Sequence, residues 1–556
     1  ELARHHHATA QKSKSSADYQ EAVRWYRAYI ASFPSDPDAS QKNFLLAELL
    51  FEDSRFAEAS AEYEKTAYDY PKHPKSADAG YAALLGHAQQ EKRAAAAELP
   101  ARQRASVASA LRFAKEFSGD VRVGPVLSNA SEKLYALKDG EQASTVAKQV
   151  LALDPPAAPA QRKVAWTVVA HTAFERGSFD EAERGYAEVI ALTPDKDAAR
   201  GELVERQAAS IYKQGEQARA ADKPRDAVAH FNRVATVAPP SSPVRATAQY
   251  DAAAVLIGLK DWDAAARTLE DFRQRFPNHA LQGEVNGKLA TAYIEKGNWA
   301  QAAGEFERLS ASSKDPKVAR DALWQAAELH EKAGARAPAA KAYERYLKQY
   351  PDPLESAVEV RWRLAVIAKA DGNAPREFAL MKEIFQADQR GGAARTNRTR
   401  YLGATAALAL AEPVYNDYRK VALVEPLAKQ LKLKKTKMEE VLKAYAVASD
   451  YGVADVTTAS TFRIASLYQD FGQSMLSSQR PKKLSKLELE QYNVMLEEQA
   501  FPFEEKAAEL HEVNARRAGE GIYDKWVQNS FTALKALRPM RYGKLERSEG
   551  VVDAIR

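Results

Sequence analysis

The sequence predicts an all-α protein: a stack of antiparallel helix pairs followed by a helical module at the carboxyl end. Three observations carry this. A small residue, a large residue four positions later and a proline eight positions beyond that recur along the first two-thirds of the chain. Most recurrences lie close to 37 residues apart. Strand-like alternation is absent, whereas apolar residues at three- and four-residue steps are common. Helix is therefore expected over at least about two-thirds of the chain, against the roughly one-third usual in globular domains.

The repeated unit is clearest at 293–309, "YIEKGNWAQAAGEFERL", and again at 174–190, "FERGSFDEAERGYAEVI". Its small–large–proline triplet reads Ala22/Tyr26/Pro34, Ala59/Tyr63/Pro71, Ala143/Ala147/Pro155, Ala182/Tyr186/Pro194, Ala227/Phe231/Pro239, Ala265/Leu269/Pro277 and Ala339/Tyr343/Pro351. Ala302/Phe306 keeps the first two members, and Pro316 arrives two residues late. The double step between Ala59 and Ala143 contains a degenerate unit around 104–117, "RASVASALRFAKEF". Proline is 25 of 556 residues, so seven hits at one offset are not chance.

The spacing has a physical meaning. A first helix (A) carries small residues where it crosses its partner, as at Leu46-Ala47 and Leu289-Ala290. A turn rich in Gly, Asp, Asn or Lys follows. The second helix (B) puts alanine where two backbones approach, and its large residue four later fills the core from the same face. Ala302 should therefore be buried and Glu305 exposed. Proline has no N–H and ends the unit. About ten units fill residues 17–390, each burying its faces only against its neighbours. Residues 1–16, "ELARHHHATAQKSKSS", read as a mobile polar tail.

After 386–400, "QADQRGGAARTNRTR", the repeat is lost. The glycine pair and the arginines from Arg390 to Arg400 predict a hinge or exposed loop. Runs at 438–451 and 487–518 keep helical spacing, with a kink or break expected at Pro502. The last segment, 391–556, holds 26 basic and 21 acidic residues, and the first 390 balance at 54 of each. The entire net charge of +5 thus sits in the carboxyl-terminal module. So small a surplus argues against a nucleic-acid binder. The chain has no cysteine, which excludes disulfides, thiol nucleophiles and cysteine-based metal sites. No apolar run reaches the roughly 18 residues a membrane span needs. The chain begins at Glu1 without methionine, and an upstream signal segment or lipid anchor is the corresponding expectation.

The small-residue helix A, the Ala-x3-aromatic helix B, the closing proline and Trp166 near the start of its unit resemble the tetratricopeptide repeat. That resemblance implies a right-handed superhelix with a concave inner face. Endings such as "ASFPSDP", "YDYPKHP", "QRFPNHA" and "KQYPDPL" are typical of envelope-located bacterial members. Wording over 440–547, with 63–85, is similar to periplasmic tetratricopeptide proteins of proteobacteria found alongside TolQ/TolR- or ExbB/ExbD-type motors and related to gliding-motility proteins. The resemblance implies a periplasmic or outer-membrane-associated scaffold that binds envelope proteins, with no cofactor and no catalytic residue. It also implies that His171, Tyr250, Thr291, Trp324 and Glu328 point inward as partner contacts. An assembly factor of lipoprotein type for surface structures is one alternative. A cell-wall enzyme or glycan-binding accessory protein is another. Self-assembly through the ends of the stack is a further expectation.

Residues that suggest chemistry have plainer readings. His5-His6-His7 lie in the presumed tail and define no metal site. "ELHE" at 328–331 and 509–512 lacks the second histidine of a zinc helix and reads as helix surface. Glu497-Glu498 and Glu504-Glu505 read as solvated faces, because an acid–base pair needs a cleft that separates two pKa values. The densest basic run, "KQLKLKKTKMEE" at 429–440, is a solvated face or a dock for an acidic partner, with Lys432, Lys434, Lys435 and Lys437 steering association.

Overall fold

A computed structural model describes residues 1–482 and 484–544, so Lys483 and the last twelve residues of the predicted carboxyl-terminal module lie outside the described residues. Helix accounts for 79% of the chain, and no strand occurs among the described residues. Two compact units divide it, residues 1–282 and 283–556.

In the first unit the A and B helices pair as Leu2–Ser13 with Ser16–Ser32, Ala39–Glu52 with Phe56–Tyr68, Ser76–Arg93 with Leu99–Glu116 and Val123–Ala136 with Gly140–Leu151. Pro159–Glu175 with Phe179–Ala191, Arg200–Ala220 with Pro224–Val237 and Pro243–Gly258 with Trp262–Arg275 complete it. The second unit continues with Gln282–Glu295 and Trp299–Ser312, Pro316–Lys332 and Arg336–Gln349, then Leu354–Ala370 and Ala374–Arg390. Four longer helices follow, Asn397–Arg419, Leu427–Ser449, Ala454–Leu476 and Lys486–Arg516, and then the shorter Lys525–Leu537.

One turn joins A to B in most pairs. Its central residue takes the left-handed conformation: Ser54, Lys138, Gly177, Asp222, Lys260, Gly297, Gly334 and Gly372. The next residue donates its N–H back across the turn to close helix A, as Asn298 N does to Tyr293 O at 2.8 Å and Asp139 N to Leu134 O at 3.0 Å. That same residue is the N-cap of helix B. Glycine suits the left-handed position best. Ser54, Lys138, Asp222 and Lys260 hold it at a cost of roughly 1–2 kcal/mol, met by the packing on either side.

Seven of the B-helix alanines stand five residues beyond this turn residue. With Ala22, all eight (Ala22, Ala59, Ala143, Ala182, Ala227, Ala265, Ala302 and Ala339) are 0% exposed. Tyr26, Tyr186, Phe231, Leu269 and Tyr343, four positions later, are buried beside them. A close approach of two helix backbones is at Gly185, where a Cβ would stand 2.9 Å from Ala170 Cβ and 3.1 Å from its Cα.

Several expectations are corrected. Residues 1–16 are no mobile tail. Leu2–Ser13 is the A helix of the first pair, with Ala10 fully buried, His6 stacked on Trp25 and His7 Nδ1 3.2 Å from Tyr26 Oη. Composition hid it because only a few apolar contacts are needed to seat a terminal helix. Glu305 is buried, not exposed, and pairs with Arg308. Of the hinge or exposed loop expected after 386, the turn Gly392–Ala394 is exposed, but the stretch is pinned and is no hinge: Arg395 grips the fully buried Asp388 through two bonds of 2.7 and 3.1 Å. Gly403 leaves room for that carboxylate, which a Cβ would approach to 2.9 Å. Leu402 and Ala406 belong to the same core as Leu323, Tyr343, Leu364 and Ile384, so packing does not break at 390. The histidines of both "ELHE" stretches, His330 and His511, are buried, while Glu328 and Glu509 are not. Lys486–Arg516 runs as one helix through Pro502. Pro502 is exposed, so the carbonyl it leaves without a donor is that of Glu498 on the solvent side.

A polar cluster seals the carboxyl end. His511, Asn514, Ser530 and Thr458 are all 0% exposed. Asn514 Nδ2 donates to Thr458 O at 2.9 Å and to Ser530 Oγ at 3.0 Å, and His511 Nδ1 lies 3.2 Å from Ser530 Oγ. Asp524 caps the last long helix through Trp526 N and Val527 N and accepts from Thr458 Oγ1. Burial pushes the His511 imidazole down to about 4.

Two predictions follow from this packing. Gly185→Ala should destabilise by about 1–3 kcal/mol through overpacking. Gly304→Ala, where a Cβ meets nothing within 4 Å, should stabilise its helix by about 0.5–1 kcal/mol. Urea melts of both variants check the pair. For His511, the unfolded chain takes up a proton between pH 6.5 and about 4 that the folded chain refuses. Stability therefore falls as pH falls through that window, by on the order of 3 kcal/mol in total, and is flat above it with respect to this group. Urea melts across pH 4–7 should show this slope in the parent protein and lose it in His511→Gln.

Candidate interaction surfaces

The A helices present two rows of side chains at fixed distances from their turns. Ten residues before the left-handed residue stand Phe44, Tyr212, Tyr250, Trp324 and Trp362. This is a packing row. Tyr212 lies 5.3 Å from the Phe231 ring, Tyr250 6.1 Å from Phe272, and Trp324 5.3 and 6.2 Å from Tyr346 and Tyr343. Tyr250 and Trp324, expected as partner contacts, thus serve chiefly to seat helix A on helix B.

Six residues before the turn stand Glu48, Glu132, His171, Glu216, Ala254, Thr291, Glu328 and Val366, none of them buried. The expected contacts His171, Thr291 and Glu328 share this open row. The structure brings His171 together with groups from three other helices. Its ring lies 5.6 Å from Tyr135 and 5.7 Å from Tyr186. Tyr135 Oη donates to Glu175 at 2.7 Å. Burial, and then the Arg206 guanidinium, hold the His171 imidazole below its ordinary value. Thr291 is exposed and bonds its own helix at Gly287 O.

In the second unit a charged ladder crosses three A-type helices. Tyr343 Oη donates to Glu331 at 2.6 Å, and Arg363 reaches Glu331 and Glu359 at 3.3 Å each. Arg398 then grips Glu359 through bonds of 2.8 and 3.1 Å. Burial opposes the charged form of Glu359, but Arg398 and Arg363 outweigh it and hold its carboxyl below the usual range. Sequence reasoning missed Glu359, Arg363 and Arg398. Their only signal was recurrence at solvent-facing steps of helix A, which any salt-bridged surface shares.

The basic run resolves into different roles. Lys432 and Lys435 are exposed. Lys437 pairs with Glu440 at 2.7 Å. Lys434 is 3% exposed, donates to Val421 O at 2.8 Å and sits 4.2 Å from the Tyr418 ring centroid, so it cannot steer a partner. Burial lowers its ammonium below the ordinary lysine value.

Residues 247–279 and 321–353 match one family model of the tetratricopeptide repeat, and residues 15–77 match a second. These segments are tetratricopeptide repeats. The tetratricopeptide match at 15–77 begins at the first B helix and spans the second pair. The fold is similar to the tetratricopeptide domain of P58(IPK), 16% identical over 70% of this chain and 99% of that chain, TM-score 0.20. It is also similar to the tetratricopeptide protein YrrB, at 14% identity over 38% and 96% with TM-score 0.23. BtubC from P. vanneervenii gives 16% over 40% and 95%, TM-score 0.22. Comparison with curated proteins gives no match. Tetratricopeptide folds in general mediate protein–protein interaction and are not catalytic.

The lysines give a direct check. Lys434→Gln should lower stability by about 1–3 kcal/mol, since it loses a buried charged donor to Val421 O. Lys432→Gln and Lys435→Gln should stay within about 0.5 kcal/mol. Thermal melts of the three variants decide it.

Proposed function

We propose that this protein is a non-catalytic interaction scaffold of the bacterial cell envelope, part of a complex linked to an ExbB/TolQ-type motor or to surface assembly. The observation that carries the scaffold reading is the open row of helix A, taken within each unit by itself: Glu48, Glu132, His171, Glu216 and Ala254 in the first, and Thr291, Glu328 and Val366 in the second. It gives helix pairs one position each that is not buried, at a shared register, with polar residues at most of them. Such a row suits an extended partner read one unit at a time. The envelope location and motor link rest on the resemblance of 440–547 and of the Phe/Tyr-Pro endings to periplasmic proteobacterial proteins. The four charged side chains of the Glu331–Arg363–Glu359–Arg398 ladder are engaged with one another, which suits a structural role for them.

Removing residues 391–556 is not a clean test, because Leu402 and Ala406 complete the core of the preceding pairs. The informative experiment keeps the full chain. Cells making a tagged protein are fractionated and treated with a short amine-reactive cross-linker, and the captured proteins are identified by mass spectrometry. The expected result is recovery with the envelope fraction and cross-links to a motor or surface-assembly component. Recovery in the cytosolic fraction with no envelope protein attached would overturn the reading.

A further inference from the structure

The first half of the helix Lys486–Arg516 carries a pattern that folding does not use. In that half the buried side chains are Leu496 and Ala500. On the opposite side, Leu487, Val494 and Phe501 are 65%, 54% and 60% exposed. They are spaced seven residues apart, so they form one line along the helix about 21 Å long. Exposed apolar side chains scattered singly are ordinary, but three large ones aligned on one helix face are not. Carboxylates border the line. Glu490 and Glu497 flank it on one side, and Glu498 on the other, each exposed and without an ion pair among the described residues. Glu505 continues the second border and is paired with Arg538 at 3.0 Å.

An apolar seam at seven-residue spacing with charges at its edges is the surface a second helix recognises. The sign of the edges selects the partner. We infer that the Leu487–Val494–Phe501 face docks an amphipathic helix of a partner protein whose apolar seam is bordered by lysine or arginine. The apolar line supplies the buried contact, and Glu490, Glu497 and Glu498 supply orientation and exclude an acid-bordered helix. This deepens the scaffold reading by naming the partner's chemistry, and it does not depend on where in the cell the protein resides.

The test uses the full chain and two 21-residue helical peptides with leucine at both seam positions, one bordered by lysine and one by glutamate. Fluorescence anisotropy should show the lysine peptide binding at least ten-fold more tightly than the glutamate peptide, and more weakly as salt rises. Val494→Glu should weaken the lysine peptide at least ten-fold, although it adds a negative charge that simple attraction would favour. The double variant Glu497→Lys/Glu498→Lys should reverse the preference. All the altered residues are exposed, and circular dichroism confirms that the variants fold. Equal binding of the two peptides, no binding, or tighter binding by Val494→Glu would overturn the inference. So would concentration-dependent self-association in sedimentation that Val494→Glu abolishes, because it would seat a second copy of this chain on the face. None of these outcomes bears on the cross-linking result, which tests location and partner identity separately.

Discussion

The packing depends on one constraint: a side chain no larger than a methyl where helix B crosses its neighbour. Eight alanines meet it with complete burial. At Gly185 even a methyl is too much, because the facing Ala170 backbone is already in contact range. Close crossing lets the large residue four positions on reach the core, and within each unit such cores join neighbouring pairs. The three-residue turn enforces the register, since one residue both closes helix A and caps helix B.

The second consequence concerns the carboxyl-terminal segment. The repeat vocabulary ends near 390, yet packing and charge pairing continue. Leu402 and Ala406 fill the core of the preceding pairs, and Arg398 carries the ladder onward from Glu359. The helices grow longer, with 23 residues in Asn397–Arg419 and 31 in Lys486–Arg516, so the alanine-and-proline rule no longer applies. A longer helix can bury one part of its length and present another. The exposed first half of Lys486–Arg516 and the sealed His511–Asn514–Ser530 cluster are two ends of one element.

Some features were legible because they are local. The alanine offsets, the closing prolines and the turn composition read directly as helix pairs, and the pairs are there. Local pattern misjudged the residues whose role depends on what stands opposite. Glu305, His330, His511 and Lys434 look like surface residues along their own helices and are buried by their neighbours. Tyr250 and Trp324 were assigned to the inner face with His171, but they stand four residues earlier in register, over the aromatic of helix B. The first helix escaped notice because its polar composition conceals the two or three contacts that hold it to Trp25 and Tyr26.

By itself, the sequence determined the class of fold and the burial of the helix-B alanines. These follow from short-range geometry: which residues a helix tolerates, which a turn requires and where proline forbids continuation. Only the tertiary structure decided which charges are spent inside, where the core continues past the last repeat, and which apolar line is left facing solvent. Those depend on residues distant in the chain, and periodicity along one helix carries no record of what packs against it.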